Sequence, residues 1–78
     1  MVIFVKNIKQ LIVDKNTSIL NTIKVLEKTH YKIVLVINNK KLEGIVTDGD
    51  IRKSLLSSFS LNERVEKIMN KKPKVVVN

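Results

Sequence analysis

The fold turns on one stretch: Ile33-Val34-Leu35-Val36-Ile37-Asn38-Asn39-Lys40-Lys41-Leu42-Glu43-Gly44-Ile45-Val46-Thr47-Asp48-Gly49-Asp50. Its first five residues are apolar and mostly β-branched, which favours a strand. Asn38 to Lys41 carries hairpin-turn chemistry, and Leu42 to Val46 returns as the partner strand. The first strand does not alternate apolar with polar, so both of its faces are predicted to be buried. Thr47-Asp48-Gly49-Asp50 follows directly, and Ile51, Leu55 and Leu56 place an apolar stripe on a helix that begins there.

On the N-terminal side, Ile19, Leu20, Ile23 and Leu26 recur at helical spacing, with Asn21, Lys24, Glu27 and Lys28 on the other faces. This predicts an amphipathic helix of about three turns. Asp14-Lys15-Asn16-Thr17 supplies turn and N-cap oxygens before it, and Thr29 and His30 close it. Farther out, Val2 to Val5 and Leu11-Ile12-Val13 are short apolar runs, either of which fits an edge strand. On the C-terminal side, Ser57-Ser58-Phe59 loosens the chain. Ser60 and Glu63 have capping-box spacing, which predicts a third helix with Leu61, Val65, Ile68 and Met69 inward. Asn70 stops it, Lys71-Lys72-Pro73-Lys74 reads as a solvated turn, and Val75-Val76-Val77 begins a last strand.

Composition narrows the function. A chain of 78 residues buries only about 60% of its unfolded surface. Such a core supplies about 3–5 kcal/mol unless a disulfide, a metal or a partner adds to it. The chain has no cysteine and one histidine, which excludes disulfides and argues against a structural zinc site. No apolar run approaches the ~20 residues of a membrane span. The opening MVIFVKNIKQ has neither a basic leader nor a cleavage site, so a cytoplasmic location is expected. The net charge of +8 comes mostly from dispersed lysine, and aromatics make up only 4%. That pattern reads as a solvated surface rather than a nucleic-acid interface, where basic residues alternate with stacking rings. No nucleophile–base pair and no glycine-rich phosphate loop is present, so the chain alone is not expected to be an enzyme. Two helices cover one face of a small sheet. The other face then calls for a second copy of the chain or an adjacent module, and a homodimer is expected.

From about Leu11 to Leu56 the chain resembles a CBS (cystathionine-β-synthase-type) domain. That family has the order β-α-β-β-α and a signature of glycine, two apolar residues, threonine or serine, two variable positions and aspartate. Here the signature is Gly44, Ile45, Val46, Thr47 and Asp50. The resemblance implies an α+β fold with a three-stranded sheet and two helices, followed by a linker helix and strand. Residues 1–58 would form one CBS domain. Residues 59–78 would be a linker and the start of a second half, because Val65 to Val75 is similar to the lead-in of a second CBS domain. Thr47-Asp48-Gly49-Asp50-Ile51-Arg52-Lys53 is also similar to CBS pairs attached to two enzyme types, sugar-phosphate nucleotidyltransferases and arabinose-5-phosphate isomerases. The N-terminal placement of the region favours the first.

The resemblance places a ligand, AMP, ADP or ATP, at the start of the second helix, in a regulatory module. Chemically, Asp50 offers carboxylate oxygens to ribose hydroxyls, and Thr47 offers a hydroxyl toward ribose or phosphate. Gly49 permits close backbone approach. Arg52 and Lys53 carry charge that offsets phosphate, and Val13 and Ile33 are the expected apolar walls for adenine. Asp48 sets a second carboxylate beside the phosphate, which favours a ligand held by ribose and base. Asp48 and Asp50 together are also a weak two-carboxylate motif for Mg²⁺ completed by phosphates, and no protein-held metal is expected. The alternative for Thr47 and Asp50 is a helix cap without a ligand, in a module whose work is dimerisation. His30 reads as a complement to the helix C-terminus, and Tyr31 as packing.

Overall fold

The computed structural model describes residues 2–5, 8–29, 31–71 and 74–77. His30, Lys72 and Pro73 lie outside them, so their expected roles do too. The chain runs β1 (Val2–Val5), a 3-10 turn at Ile8–Leu11, β2 (Ile12–Asp14), α1 (Ile19–Lys28), β3 (Ile33–Asn38), β4 (Lys41–Thr47) and α2 (Asp48–Leu56). A 3-10 turn at Val65–Lys67 and β5 (Lys74–Val77) complete it. The central sheet has the order β2-β3-β4, with β2 parallel and β4 antiparallel to β3. β1 and β5 pair in parallel as a separate two-stranded sheet.

β3 and β4 meet through Asn39 and Lys40, whose φ angles of 52° and 64° are those of a type I′ turn. A bulge between Val36 and Ile37 leaves Glu43 without a register partner, just before Gly44. The pleat then sorts the side chains by parity. Val34, Val36, Val46 and Val13 face Ile19 and Leu26 of α1 and Ile51 of α2. Ile33, Leu35 and Ile45 face the other way and cluster with Leu11.

Several sequence expectations are corrected by this packing. The second sheet face is not bare: Leu11, Ile33, Leu35 and Ile45 are all at most 2% exposed within one chain. The argument for a twin that rested on that face therefore loses its ground. In α1 the buried arc is Ile19, Thr22 and Leu26 with Ile23 partly buried, an i, i+3, i+4, i+7 pattern that leaves Leu20 at the surface. Thr22 tolerates burial because its hydroxyl donates to the Ser18 carbonyl at 2.9 Å. The cap of α1 is Ser18, whose Oγ accepts from Asn21 N–H at 3.1 Å, while Asp14 to Thr17 form the turn before it.

In α2 the inward residues are Ile51 and Ser54, and Leu55 and Leu56 face solvent. The helix closes early in a Schellman arrangement. Phe59 N–H donates to the Ser54 carbonyl and Ser58 N–H to the Leu55 carbonyl, with Ser58 at φ 68° where glycine is usual. This turn brings Phe59 against the core in place of a further helical leucine.

The third helix does not form. The Leu61 carbonyl accepts from Leu20 N–H at 3.0 Å and the Glu63 carbonyl from Ile19 N–H at 2.8 Å. Val65 N–H donates to the Thr17 carbonyl at 2.7 Å. The groups a local helix would use are thus spent on the first turn of α1, which needs acceptors for its free N–H groups. Only Val65–Lys67 keeps a 3-10 turn, and Ser60 Oγ accepts from Asn62 rather than from Glu63. Residues 59–70 form a strap with Val65 fully buried and Phe59, Ile68 and Met69 packed on the core.

Candidate functional site

Gly44, Thr47 and Asp50 each have a distinct physical task. Past Gly44, the strap joins the edge of β4 through Ile45 N–H to the Asn70 carbonyl (3.0 Å) and Asn70 N–H to the Ile45 carbonyl (2.8 Å). A Cβ at Gly44 would stand 2.8 Å from the Asn70 carbonyl oxygen and from Met69 Cγ. Only the absence of a side chain admits the strap.

At the other end of β4, Thr47 caps α2. Asp50 Oδ2 accepts from Thr47 N–H at 2.9 Å and from the Thr47 hydroxyl at 3.1 Å, and Thr47 Oγ1 accepts from Asp50 N–H at 3.4 Å. This is a complete reciprocal capping box. It leaves Asp50 Oδ1 as the carboxylate oxygen not engaged by Thr47, so one oxygen rather than the two expected lies outside the capping box. Gly49 lies at the surface, where a Cβ would touch only Thr47 Oγ1 at 3.7 Å. Backbone approach there is open. Asp48 and Arg52 are exposed on α2, and the described residues contain no cluster of three metal-ligating side chains.

The structure does not bring Val13 and Ile33 together. Val13 belongs to the helix-facing cluster at 7% exposure and Ile33 to the opposite cluster at 1%. They lie on opposite faces of the sheet, so they do not clamp one ring. Ile33 does sit beside the signature, as the register partner of Thr47. Tyr31 is an exposed ring just before β3.

Sequence reading missed a cavity of about 180 Å³ lined by Asp50, Lys53, Ser54, Ser57, Phe59, Lys67 and Ile68. Its α2 wall follows the i, i+3, i+4, i+7 spacing from Asp50, a signal present in the sequence. Its other wall is the strap, whose path was not.

A family model for the CBS domain matches residues 5–57. The chain belongs to the CBS domain family. The CBS domain fold is shared, at TM-score 0.70 and 23% identity, with a crystal structure of a cystathionine beta-synthase domain protein fused to a Zn-ribbon-like domain, covering 80% of this chain and 91% of that one. A CBS domain pair crystallised with 5′-methylthioadenosine and S-adenosyl-L-methionine matches at TM-score 0.69 and 28% identity, over 80% of this chain and 50% of that one. A Haemophilus influenzae protein named probable arabinose 5-phosphate isomerase is 32% identical over 62 residues, 77% of this chain and 18% of that protein. The chain thus spans less than a fifth of that relative's length. Of the two enzyme types that the CBS wording resembles, this relative represents the isomerase. CBS domains are regulatory rather than catalytic modules. Among the described residues no helix is long and apolar enough to cross a membrane.

Replacing Asp50 by alanine removes the carboxylate half of the capping box. The expected cost is about 1 kcal/mol of unfolding free energy, read as a lower urea midpoint at unchanged m-value.

Proposed function

We propose that this chain is a regulatory CBS module that binds an adenine nucleotide or a related adenosine compound at the N-terminus of α2. The observation that carries the reading is the open Gly49 backbone beside Asp50, with one carboxylate oxygen beyond the capping box available for a ribose hydroxyl. The related CBS pair with two adenosine compounds supports the ligand class. Thr47 contributes through its remaining lone pair, since its proton is directed at Asp50. Arg52, exposed on α2, supplies charge, and Ile33 backs Thr47 across the hairpin. The parent is proposed to be a larger sugar-phosphate enzyme. The isomerase relative supports an arabinose-5-phosphate isomerase type, and the wording of residues 47–53 is equally compatible with a nucleotidyltransferase.

The module is proposed to act paired with a second CBS unit, in a homodimer or within a longer chain. The chain matches half of a CBS domain pair, and Leu20, Leu55, Leu56 and Leu61 are 38–82% exposed. A purely structural pairing module is the second reading, favoured by the capping box, which accounts for Thr47 and Asp50 without a ligand.

Thermal melts with AMP, ADP, ATP and S-adenosylmethionine separate the two. A ligand at 100 times its dissociation constant adds about 2.7 kcal/mol, or roughly 11–22 °C in a domain of this size. No shift with any of them at millimolar levels leaves the structural reading. With Asp50→Ala the shift is expected to vanish while the fold persists.

A further inference from the structure

We propose that the cavity between α2 and the strap is a second small-molecule site, for an organic anion with a compact apolar body, adjoining the nucleotide-type site at Asp50. Its floor and rim differ in character. Phe59 and Ile68, both half-buried, supply apolar surface, and Lys53, Ser57 and Lys67 are exposed at the edge. The polar groups of Lys67 and Ser54 are engaged, and Asp50, whose Oδ1 alone lies outside the capping box, sits at the positive end of α2, which offsets its charge. Lys67 Nζ is 2.8 Å from Glu63 Oε2, Asp50 Oδ2 is held by Thr47, and the Ser54 hydroxyl donates to the Ile51 carbonyl at 2.6 Å. Lys53 is different: among the described residues it has no carboxylate within ion-pair distance. One uncommitted cation over an aromatic–aliphatic floor selects a single negative charge on a hydrophobic frame.

Size limits the ligand further. About 180 Å³ falls below the ~300–1,000 Å³ of pockets for drug-sized molecules. A ring acid or a short branched-chain acid matches that scale. The site touches the signature only at Asp50; Thr47, Asp48, Gly49 and Arg52 are not on its wall. A ligand there would bridge α2 to the strap and so bear on the segment that leads out of the module.

The test is an amide-resolved NMR titration of the 78-residue chain with benzoate, benzyl alcohol and inorganic phosphate. Benzoate is expected to shift Ser54, Ser57, Phe59 and Ile68 saturably, with a dissociation constant of about 1–10 mM, as ligand efficiency allows for so few atoms. Benzyl alcohol lacks the charge and phosphate lacks the apolar body, so each is expected to bind at least tenfold more weakly. Lys53→Gln is expected to weaken benzoate at least fivefold, and Ser57→Phe, which fills the cavity from an exposed position, to abolish the shifts with the fold intact. Benzoate shifts that do not saturate, that are unchanged in Lys53→Gln, or that centre on Thr47 and Gly49 would overturn the proposal.

Discussion

A chain ended at Ser58 is expected not to fold, although residues 1–58 contain every strand and helix of the β-α-β-β-α unit. The cut removes Val65, fully buried, and the packed side chains of Phe59, Ile68 and Met69. Burying one valine or isoleucine contributes about 1.5–3 kcal/mol, and the whole domain has about 3–5 kcal/mol to lose. The cut also strips the carbonyl partners from Ile19 and Leu20 at the first turn of α1, and both partners from Ile45 at the β4 edge. Leaving such groups unpaired adds about 1–3 kcal/mol where they stay buried. Circular dichroism in urea is expected to show no cooperative transition for 1–58 and a single one for the full chain. A well-dispersed amide spectrum from 1–58 would show instead that the strap is dispensable.

The second large effect is expected from Gly44→Ala. The new methyl group would have to displace the Asn70 carbonyl, which accepts from Ile45 N–H while Asn70 N–H donates to the Ile45 carbonyl, and the Met69 side chain. Overpacking of this kind costs about 1–3 kcal/mol, a large share of the stability of so small a domain. The two obstacles can be told apart. Met69→Ala removes the Cγ and Sδ contacts at 2.8 and 2.9 Å but leaves the carbonyl oxygen at 2.8 Å. The double variant is therefore expected to recover only part of the loss, a non-additive cycle between touching residues. Full recovery would place the clash in the methionine alone, and no loss in Gly44→Ala would mean the strap yields freely.

The central sheet was legible because its signals are local. Five apolar residues, a turn and a return strand fix β3 and β4, and Thr47 to Asp50 mark the start of α2 by spacing alone. The capping box was legible too, as one of two meanings for the same residues. What escaped was decided by partners distant in sequence. Ser60 to Met69 has a helical pattern, yet its carbonyls are drawn off by the N–H groups of Ile19 and Leu20. Leu20, Leu55 and Leu56 read as inward by helical spacing, whereas Thr22 and Ser54 take the interior by satisfying their own hydroxyls on helix carbonyls. The Schellman closure at Ser58 lacked its usual glycine, so nothing near it announced that Phe59 would turn back onto the core. Val13 and Ile33 were both expected as walls for adenine because both are apolar residues of the predicted sheet. Pleat parity, which needs the register, separates them.

The strap also ties the outgoing chain to both ends of the ligand-side elements, β4 and α1. Tension on the chain beyond Lys71 would load, one after another, the Asn70–Ile45 bridge two residues from Thr47, the buried Val65 anchor, and the borrowed carbonyls at the head of α1. Displacement of the chain after residue 71 and occupancy of the proposed nucleotide-type site would therefore act on the same junction of β4 and α2.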